Sequence, residues 1–451
     1  MSKHIFMIYI FFVVCIFVPS TAHAYLDPGT GNALIYVLLS LLGAVFYFIK
    51  GFFYKIVKSR NEQVGVSSAR YNSEQDTIVI FNEGKTYWNT FKPVVEKLIE
   101  KNQKFIYYTM DIEDPCLQIA NRLMDNRYIG DGNLAYSKIG NLNANVVLST
   151  TPNIGTKGYP IPRSKGIKKL VHVFHGFDDL SFLHRGSLDR YDTVLLMGEF
   201  EIPIIRKLET LRNLPAKELI PGGLPYMDEL LEKAKYFSNK AFDVTEKSIN
   251  NNSDITVLLA PSYGEKGFLY CYGTDFIEKL AKQGFNLILR PHPQSFKFEK
   301  KLLRIAEEKL KRYKNIEWDY NPDGSQSFQR ADILISDTSG VRIDFAFVYE
   351  KPFITMPISF DELQDYEIVD LGESWTEKAI QEIGYTLSEN EIQDLDKIIW
   401  KVLQEKTDEA ISEFRTKHIY NLGSAGEVIA DYLIAVNDEL KRKEKSHAES
   451  F

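Results

Sequence analysis

Apolar runs rich in β-branched residues alternate with amphipathic segments from residue 77 to about residue 405. Nine runs are typical of buried strands: TIVIFN (77–82), KFIYYTM (104–110), NVVLST (145–150), KLVHVF (169–174), TVLLMG (193–198), ITVLLAPS (255–262), NLILRPHP (286–293), ADILISD (331–337) and KPFITMP (351–357). The segments between them carry apolar residues at helical spacing, as in the face formed by Trp88, Phe91, Val94, Val95, Leu98 and Ile99. This alternation predicts parallel sheets covered by helices, which is the α/β class of fold.

The alternation is interrupted at residues 221–225 (PGGLP), where prolines and glycines cluster. We therefore predict two doubly wound, Rossmann-like domains that face a cleft, one over residues 61–222 and one over 223–385. Residues 386–451 are predicted to add helices and a charged tail, in which KRKEKSHAESF (441–451) is disordered. In doubly wound folds, ligands bind in the crevice at the carboxyl ends of the strands.

Two apolar runs precede these domains. The first, over residues 5–18, is short and is followed by Ala-His-Ala at 22–24, so residues 1–24 have the layout of a signal peptide. The second, over residues 34–53, has about twenty residues and is long enough to span a bilayer. Residues 25–60 are therefore predicted to form a transmembrane anchor.

The charges around the second run predict its orientation. Lys50, Lys55, Lys58 and Arg60 lie at or beyond its end, whereas Asp27 is the one charged residue between the two runs. Because positively charged flanks stay on the cytoplasmic side, everything after residue 60 is expected in the cytoplasm, attached to the cytoplasmic membrane. The two cysteines beyond the leader lie far apart in the sequence, which suits a reduced compartment.

Net charge limits the classes of partner. The chain carries a net charge of −7, with five basic residues and one acidic residue in residues 1–60. The remainder therefore holds 49 basic and 60 acidic residues, a balance that argues against nucleic acid as the main partner. The spacing of cysteines and histidines matches no zinc site, and there is no P-loop, so neither a metal nor a cofactor is predicted.

His175-Gly176 closes the predicted strand KLVHVF. A histidine at that place would project into the crevice, and the glycine would let the backbone turn close to a ligand. Imidazole suits proton transfer near neutral pH, although a capping or purely structural histidine would occupy the same place. Alternation along the strand puts His172 on the opposite face, beside Phe174, so His172 is predicted to be a hydrogen-bonded core residue.

Two motifs of the second half have the chemistry of an anion site. Arg290-Pro-His292-Pro ends a buried strand, where an arginine can hold phosphate oxygens through two parallel hydrogen bonds. Asp337-Thr338-Ser339-Gly340 joins a strand to a helix, and the free N–H groups of such a turn suit a phosphate. Ordinary strand termination and helix capping are the alternative readings of the two motifs.

The order of these motifs resembles the CDP-glycerol:glycerophosphate glycerophosphotransferases of teichoic acid synthesis, over residues 168–357. The matching residues are His175-Gly176, Gly223-x-Pro225-x-x-Asp228, Pro261-Ser262, Arg290-x-His292-Pro293, and Asp337-x-Ser339 before Asp344-Phe345. The resemblance implies a GT-B type fold, with the acceptor bound by the first domain and the nucleotide by the second. It also implies that His175 is the general base, that His292 belongs to the phosphate motif, and that Arg290, Asp337 and Ser339 contact the nucleotide diphosphate.

This chain departs from the family pattern at three places. HGFDDL lacks the family's lysine after His-Gly, and PSYGEKG lacks the arginine after Pro-Ser unless Lys266 replaces it. Gly340 stands where the family usually has a second serine. With Gly176, Thr338 and Gly340 added as binding residues, the sequence predicts a cytoplasm-facing transferase for a CDP-activated polyol and a lipid-linked or polymer acceptor. A sugar-nucleotide glycosyltransferase or epimerase, and a catalytically silent envelope-assembly protein, remain alternatives.

Overall fold

The computed structural model describes residues 77–177, 180–240, 249–321, 323–337, 339–358, 364–372 and 374–448. The predicted signal-like segment and the predicted transmembrane anchor lie outside these residues. Within the described ranges, no helix has both the length and the apolar content that crossing a bilayer requires. Residues 73–451 form one compact unit, so the boundary proposed at residue 222 stays a prediction.

Seven parallel strands form the first sheet, in the order β3-β2-β1-β4-β5-β6-β7. Their bounds are β1 Ile78–Asn82, β2 Phe105–Thr109, β3 Met124–Tyr128, β4 Ala144–Ser149, β5 Ile167–Val173, β6 Thr193–Leu196 and β7 Glu218–Pro221. Ile78 pairs with Phe105 of β2 on one side and with Val146 of β4 on the other. Every residue of β1, β2, β4 and β6 is buried, because helices cover both faces of a parallel sheet.

Six parallel strands form the second sheet, in the order β10-β9-β8-β11-β12-β13. They are β8 Thr256–Ala260, β9 Asn286–Leu289, β10 Ile316–Trp318, β11 Ile333–Ser336, β12 Phe353–Thr355 and β13 Gly384–Thr386. In both sheets the strand order reverses next to the first strand, between β1 and β4 and between β8 and β11. Ligand crevices of doubly wound folds lie at such reversals.

Fifteen α-helices lie within the described residues, together with short 3-10 turns. They are α1 Trp88–Glu100, α2 Gly132–Gly140, α3 Glu201–Arg212, α4 Pro225–Lys240, α5 Phe268–Tyr272, α6 Asp275–Lys282, α7 Ser295–Phe298, α8 Lys300–Leu310, α9 Ser325–Arg330, α10 Val341–Tyr349, α11 Ile368–Leu371, α12 Trp375–Ile383, α13 Leu395–Glu405, α14 Asp408–His418 and α15 Ala425–Ala448. The predicted apolar face of α1 is confirmed, since Phe91, Val94, Val95 and Leu98 are buried. The two-sheet α/β fold of GT-B type is therefore confirmed for the described part.

A continuous core joins the two sheets. One cluster of buried side chains includes Val79 of the first sheet and Leu334 of the second. Aromatic rings continue this contact, with Phe200 stacked on Trp375 at 3.8 Å and Phe177 edge-on to Phe347 at 5.5 Å between ring centroids. The packing of these large aromatic rings ties the first lobe, which is built on the first sheet, to the second lobe, which is built on the second sheet.

Ion pairs strengthen the same junction. Glu367, which is 3% exposed, accepts a hydrogen bond from Gly186 N at 2.9 Å and pairs with Arg212 of α3. Arg212 also contacts Asp189 at 2.9 Å and Asp370 at 2.7 Å. Although burial opposes its charge, the hydrogen bonds that Arg212 donates to Glu367 and Asp370 raise the pKa of its guanidinium. The segment after β12 is thereby held against the first lobe.

The last helix returns to the first lobe, and one sequence prediction is wrong there. Residues 441–448 of the predicted tail are not disordered, because α15 continues to Ala448 and its Glu444 pairs with Lys168, whereas residues 449–451 lie outside the described residues. Buried Ile429 and Leu433 pack in the same core cluster as α1. Lysine, arginine, glutamate and alanine favour a helix once an apolar face anchors it, and this explains the helical tail.

The start of α15 is capped by Asp228, the last residue of the predicted Gly-x-Pro-x-x-Asp motif. Its carboxylate accepts from Gly426 N at 2.8 Å and from Ala425 N at 3.3 Å. Burial raises the pKa of Asp228 to about 6, although these N–H donors favour the charged form. The motif therefore joins the start of α4 to the start of the last helix, α15.

Candidate functional site

His175 lies just beyond β5 and is exposed, as its position at a strand end predicts. The sequence predicts this strand as the fourth of the first half. The structure has one further strand before it, β3, so it is the fifth strand of the sheet. The Nδ1 atom of His175 is 3.0 Å from Oγ1 of Thr150, which directly follows β4. The ring of Tyr87, beyond β1, packs edge-on against the imidazole at 4.8 Å between centroids. Gly176 beside it is half-buried. His175 therefore stands beside the strand reversal of the first sheet.

His172 faces the opposite side of β5, as predicted, and is 3% exposed. Its ring lies between those of Phe174 and Tyr191, at 4.8 and 4.9 Å between centroids. The prediction of a hydrogen-bonded histidine is wrong for one atom, because Nδ1 has no hydrogen-bond partner among the described residues. Burial, with a smaller effect of His175, lowers the pKa of His172 to about 3, so the imidazole is neutral.

His292 follows β9 and is half-buried. Its Nδ1 accepts a hydrogen bond from the backbone N of Gln294 at 3.1 Å, and its ring stacks on that of Tyr263 at 5.0 Å. Burial lowers the pKa of His292 in spite of the nearby carboxylates of Asp337 and Glu299. A neutral imidazole that accepts at Nδ1 carries its proton on Nε2, so His292 can donate a hydrogen bond from that atom.

Arg290 lies at the mouth of β9, where the sequence places it, but its side chain is engaged within the protein. Its Nη1 contacts Asp319 Oδ2 and the carbonyl oxygen of Asn321, each at 2.7 Å. A Cβ atom at Gly324 would come within 2.7 Å of Arg290 Nε, so this glycine leaves room for the guanidinium. Asp319 also accepts from Ser327 Oγ at 2.6 Å. Burial opposes the charge of Asp319, but these contacts hold its pKa below the usual range.

Asp337 follows β11 and is fully buried. Its carboxylate accepts hydrogen bonds from the backbone N and the Oγ of Ser262 at 2.8 and 2.5 Å, and from Phe268 N at 3.1 Å. These bonds cross the strand reversal of the second sheet and hold the start of α5. The sequence predicts a contact with the diphosphate, whereas the structure places both carboxylate oxygens on the protein. The direct contact stays a prediction, and the observed role is to shape the crevice.

The turn before α10 contains the remaining predicted binding residues. Thr338 lies outside the described residues. Ser339 is half-buried, and Gly340 is the exposed N-cap of α10. Arg342, which is 4% exposed, donates from Nε to the carbonyl oxygen of Ser339 at 3.1 Å and from Nη1 to Thr355 Oγ1 at 2.8 Å. The arginine holds the turn from below, and the sequence motifs did not single it out.

The family arginine after Pro-Ser has no counterpart in the structure. Gly264 is the second residue after Ser262. Its φ is +88°, a backbone conformation that residues other than glycine rarely adopt. Its N donates to Glu299 Oε1 at 2.9 Å. Lys266 is exposed on the same loop. The backbone conformation at Gly264 therefore also disfavours an arginine at this position.

Each sheet therefore presents one histidine at its carboxyl edge, His175 from the first and His292 from the second. Taken together, the two edges offer an imidazole that can accept a proton, an imidazole N–H donor and the backbone N–H groups of a helix start. In the part of the chain that the structure describes, no group of three or more histidine, cysteine, aspartate or glutamate side chains could hold a metal ion. The residues that sequence motifs missed are Thr150, Tyr87, Asp319 and Arg342. Each acts through a partner from another element, which leaves no local signal.

Comparisons with known proteins agree with this fold. Residues 183–371 match the family model described as CDP-glycerol:poly(glycerophosphate) glycerophosphotransferase. The match spans less than half of the chain. The match indicates an enzyme of the glycerophosphotransferase type, which is a transferase of phosphorus-containing groups. The matched range includes Arg290, His292 and Asp337 and begins after His175.

Solved structures of similar fold include a teichoic acid polymerase and a sugar-nucleotide epimerase. A variant of the wall teichoic acid polymerase TagF is 15% identical, with a TM-score of 0.52, and the match covers 82% of this chain and 92% of that one. A UDP-GlcNAc 2-epimerase from Neisseria meningitidis is 12% identical, with a TM-score of 0.50 and coverage of 80% and 99%. At these identities the likeness is one of fold alone. No curated protein matches this chain.

Proposed function

We propose that this glycerophosphotransferase moves a glycerol-phosphate, or a related polyol-phosphate, from a CDP-activated donor to a hydroxyl acceptor in the synthesis of a cell-envelope polymer. The observation that carries the proposal is the pair of histidines at the carboxyl edges of the two sheets. His175 is exposed beside Thr150, and His292 is held by Gln294 and Tyr263. The family match supplies the donor class and the transferred group.

The proposed reaction is a single displacement at phosphorus. The acceptor oxygen forms a bond to the phosphorus that carries the polyol, the bond from that phosphorus to the bridging oxygen breaks, and CMP leaves. His175 takes the proton of the acceptor hydroxyl. His292 Nε2–H and the N–H groups at the start of α10 stabilise the charge that develops on the diphosphate. Arg290 adds positive charge at the same edge, shared with Asp319.

The acceptor is proposed to be lipid-linked or polymeric and to meet the enzyme at the cytoplasmic membrane. This part rests on the apolar run over residues 34–53 and on the basic residues that follow it. A fluorescent protein that folds only in the cytoplasm, fused after Phe451, is expected to fluoresce. An active alkaline phosphatase at the same position would place the main chain on the other side and overturn the proposed orientation.

The activity is tested with the full chain in detergent or in membranes. It is incubated with CDP-glycerol or with UDP-sugars, and the release of CMP or UDP is measured, with the His175→Ala variant as the control. Release of CMP that depends on His175 is the expected result. Release of UDP would favour a sugar-nucleotide enzyme, whose fold the epimerase shares. If no nucleotide stabilises the chain in a thermal shift assay and none is turned over, the protein is a silent envelope-assembly component.

A further inference from the structure

Thr150 and His175 form a contact that neither the family resemblance nor the motifs identify. The Oγ1 atom of Thr150 is 3.0 Å from Nδ1 of His175, within hydrogen-bond distance. Thr150 is 2% exposed, while His175 is exposed. The edge of the Tyr87 ring, 4.8 Å away, packs against the same imidazole. One buried hydroxyl and one aromatic ring thus contact the imidazole of an exposed side chain.

The backbone at Thr150 is held by its neighbours. Ser149 Oγ donates to the carbonyl oxygen of Phe81 at 3.0 Å and accepts from Thr151 N at 3.2 Å. The first bond joins the ends of β4 and β1 at the strand reversal, and the second is a local bond across Thr150 that holds the backbone there. Thr151 provides the contrast, since its Oγ1 is buried and has no hydrogen-bond partner among the described residues. Of two adjacent threonines, only the first is aimed at the histidine.

A neutral imidazole carries its proton on one nitrogen and accepts at the other. If Nε2 is to take a proton from the acceptor hydroxyl, the resting proton must be on Nδ1. We propose that Thr150 is a positioning residue for His175, whose hydroxyl oxygen accepts a hydrogen bond from Nδ1–H and so keeps Nε2 basic and directed into the cleft. The inference rests on the proposed function, because it needs His175 to be the base.

The loss of this bond leaves both tautomers populated and lets the ring turn. Thr150→Val keeps the size and removes the hydroxyl, so turnover is expected to fall about tenfold, as for the loss of one neutral hydrogen bond. The KM for the CDP-activated donor is expected to change less than about twofold, because the donor side is not touched. Thr150→Ser keeps the hydroxyl and is expected to restore most of the turnover.

The test measures kcat and KM for CDP-glycerol with the full-length wild type, Thr150→Val, Thr150→Ser and the matched control Thr151→Val, which is expected to stay near wild type. Nitrogen-15 NMR of histidine-labelled protein reports the tautomer directly, and the signals of residue 175 are identified by their loss in His175→Ala. The expected spectrum shows the proton on Nδ1 in the wild type and a mixture in Thr150→Val.

Several outcomes would overturn the assignment of Thr150. They are unchanged turnover in a folded Thr150→Val, equal losses in the valine and serine variants, an equal loss in Thr151→Val, and a wild-type spectrum with the proton on Nε2. The wild-type spectrum decides the question even if Thr150→Val does not fold. Failure of the proposed function is distinct, since the wild type would then release no CMP, or His175→Ala would retain full turnover.

Discussion

The two halves of the site use their predicted residues differently. In the first lobe, His175 is exposed, and the contacts of its ring include the hydroxyl of Thr150 and the ring of Tyr87. In the second lobe, Arg290 is paired with Asp319, and Asp337 gives both carboxylate oxygens to the protein. A residue just beyond a parallel strand is thus exposed in the first sheet at His175, whereas Arg290 and Asp337 of the second sheet are held by protein partners.

The difference follows from charge. A buried or half-buried carboxylate or guanidinium needs partners before any ligand arrives, because leaving it without them costs several kilocalories per mole. An exposed side chain keeps its contact with water and has no such requirement. We propose that the carboxylates of Asp319 and Asp337 shape the crevice, whereas His292, Arg290 and the turn before α10 face the ligand.

The largest effect is expected at His175. If His175 is the base, His175→Ala lowers turnover by roughly 10²- to 10⁴-fold and leaves nucleotide affinity nearly intact. His172→Ala, three residues earlier on the same strand, should mainly lower the melting temperature, because it empties a packed site between Phe174 and Tyr191. Turnover, affinity and melting temperature are measured for both variants. An essential His172 beside a dispensable His175 would contradict the assignment.

Asp337 sharpens the comparison from the other lobe. Asp337→Ala removes the acceptor of three hydrogen bonds and should lower the free energy of unfolding by about 3 kcal/mol. The matched control is Asp332→Ala, because Asp332 accepts from Thr256 N at 2.7 Å at the opposite end of the same strand. The control should lower stability by about 1 kcal/mol and leave CDP-glycerol affinity unchanged.

Urea unfolding and thermal shifts with CDP-glycerol measure both quantities. A variant Asp337→Ala that keeps wild-type stability and loses only affinity would show that the carboxylate binds the ligand directly. Asp337 would then be a ligand contact, and the contrast with the exposed His175 of the first lobe would no longer hold.

Arg290 should give a smaller effect. Arg290→Ala is expected to weaken CMP and CDP-glycerol binding by about 2 kcal/mol, as for a charged hydrogen bond. Asp319→Asn keeps an oxygen for Arg290 and removes the competing charge, so affinity should stay equal or rise. Isothermal titration measures both variants. Unchanged affinity in a folded Arg290→Ala, with lower stability, would restrict Arg290 to its pair with Asp319.

His172 is expected to change the pH dependence of stability. Its pKa is lowered from 6.5 to about 3 on folding, so between these values the unfolded chain binds a proton that the folded chain does not. The stability that neutral His172 contributes is complete above pH 6.5 and is lost as the pH falls toward 3, by up to about 1.4 kcal/mol per pH unit. His172→Phe keeps the aromatic packing and should lose less stability between pH 7 and pH 5 in urea unfolding. An equal loss in both proteins would show that His172 titrates normally.

The strands that the sequence did not predict are β3, β7, β10 and β13, and all four are sheet edges. The three-residue strands β10 and β13 are only partly buried, and β7 has two exposed residues. An edge strand packs on fewer neighbours and needs no continuous apolar run, so hydrophobic periodicity does not reveal it. The central strands were predicted to within a few residues, because burial on both faces demands apolar residues at every position.

What the sequence by itself determined is the α/β alternation, the opposite faces of His172 and His175, and the presence of a polar motif after each central strand. These follow from local rules, since strand periodicity and turn chemistry act over a few residues. What only the tertiary structure decided is the partner of each motif: Thr150 for His175, Asp319 for Arg290 and Ser262 for Asp337. The reason is physical, because parallel strands far apart in sequence bring their carboxyl ends together, and burial then selects which side chains must pair.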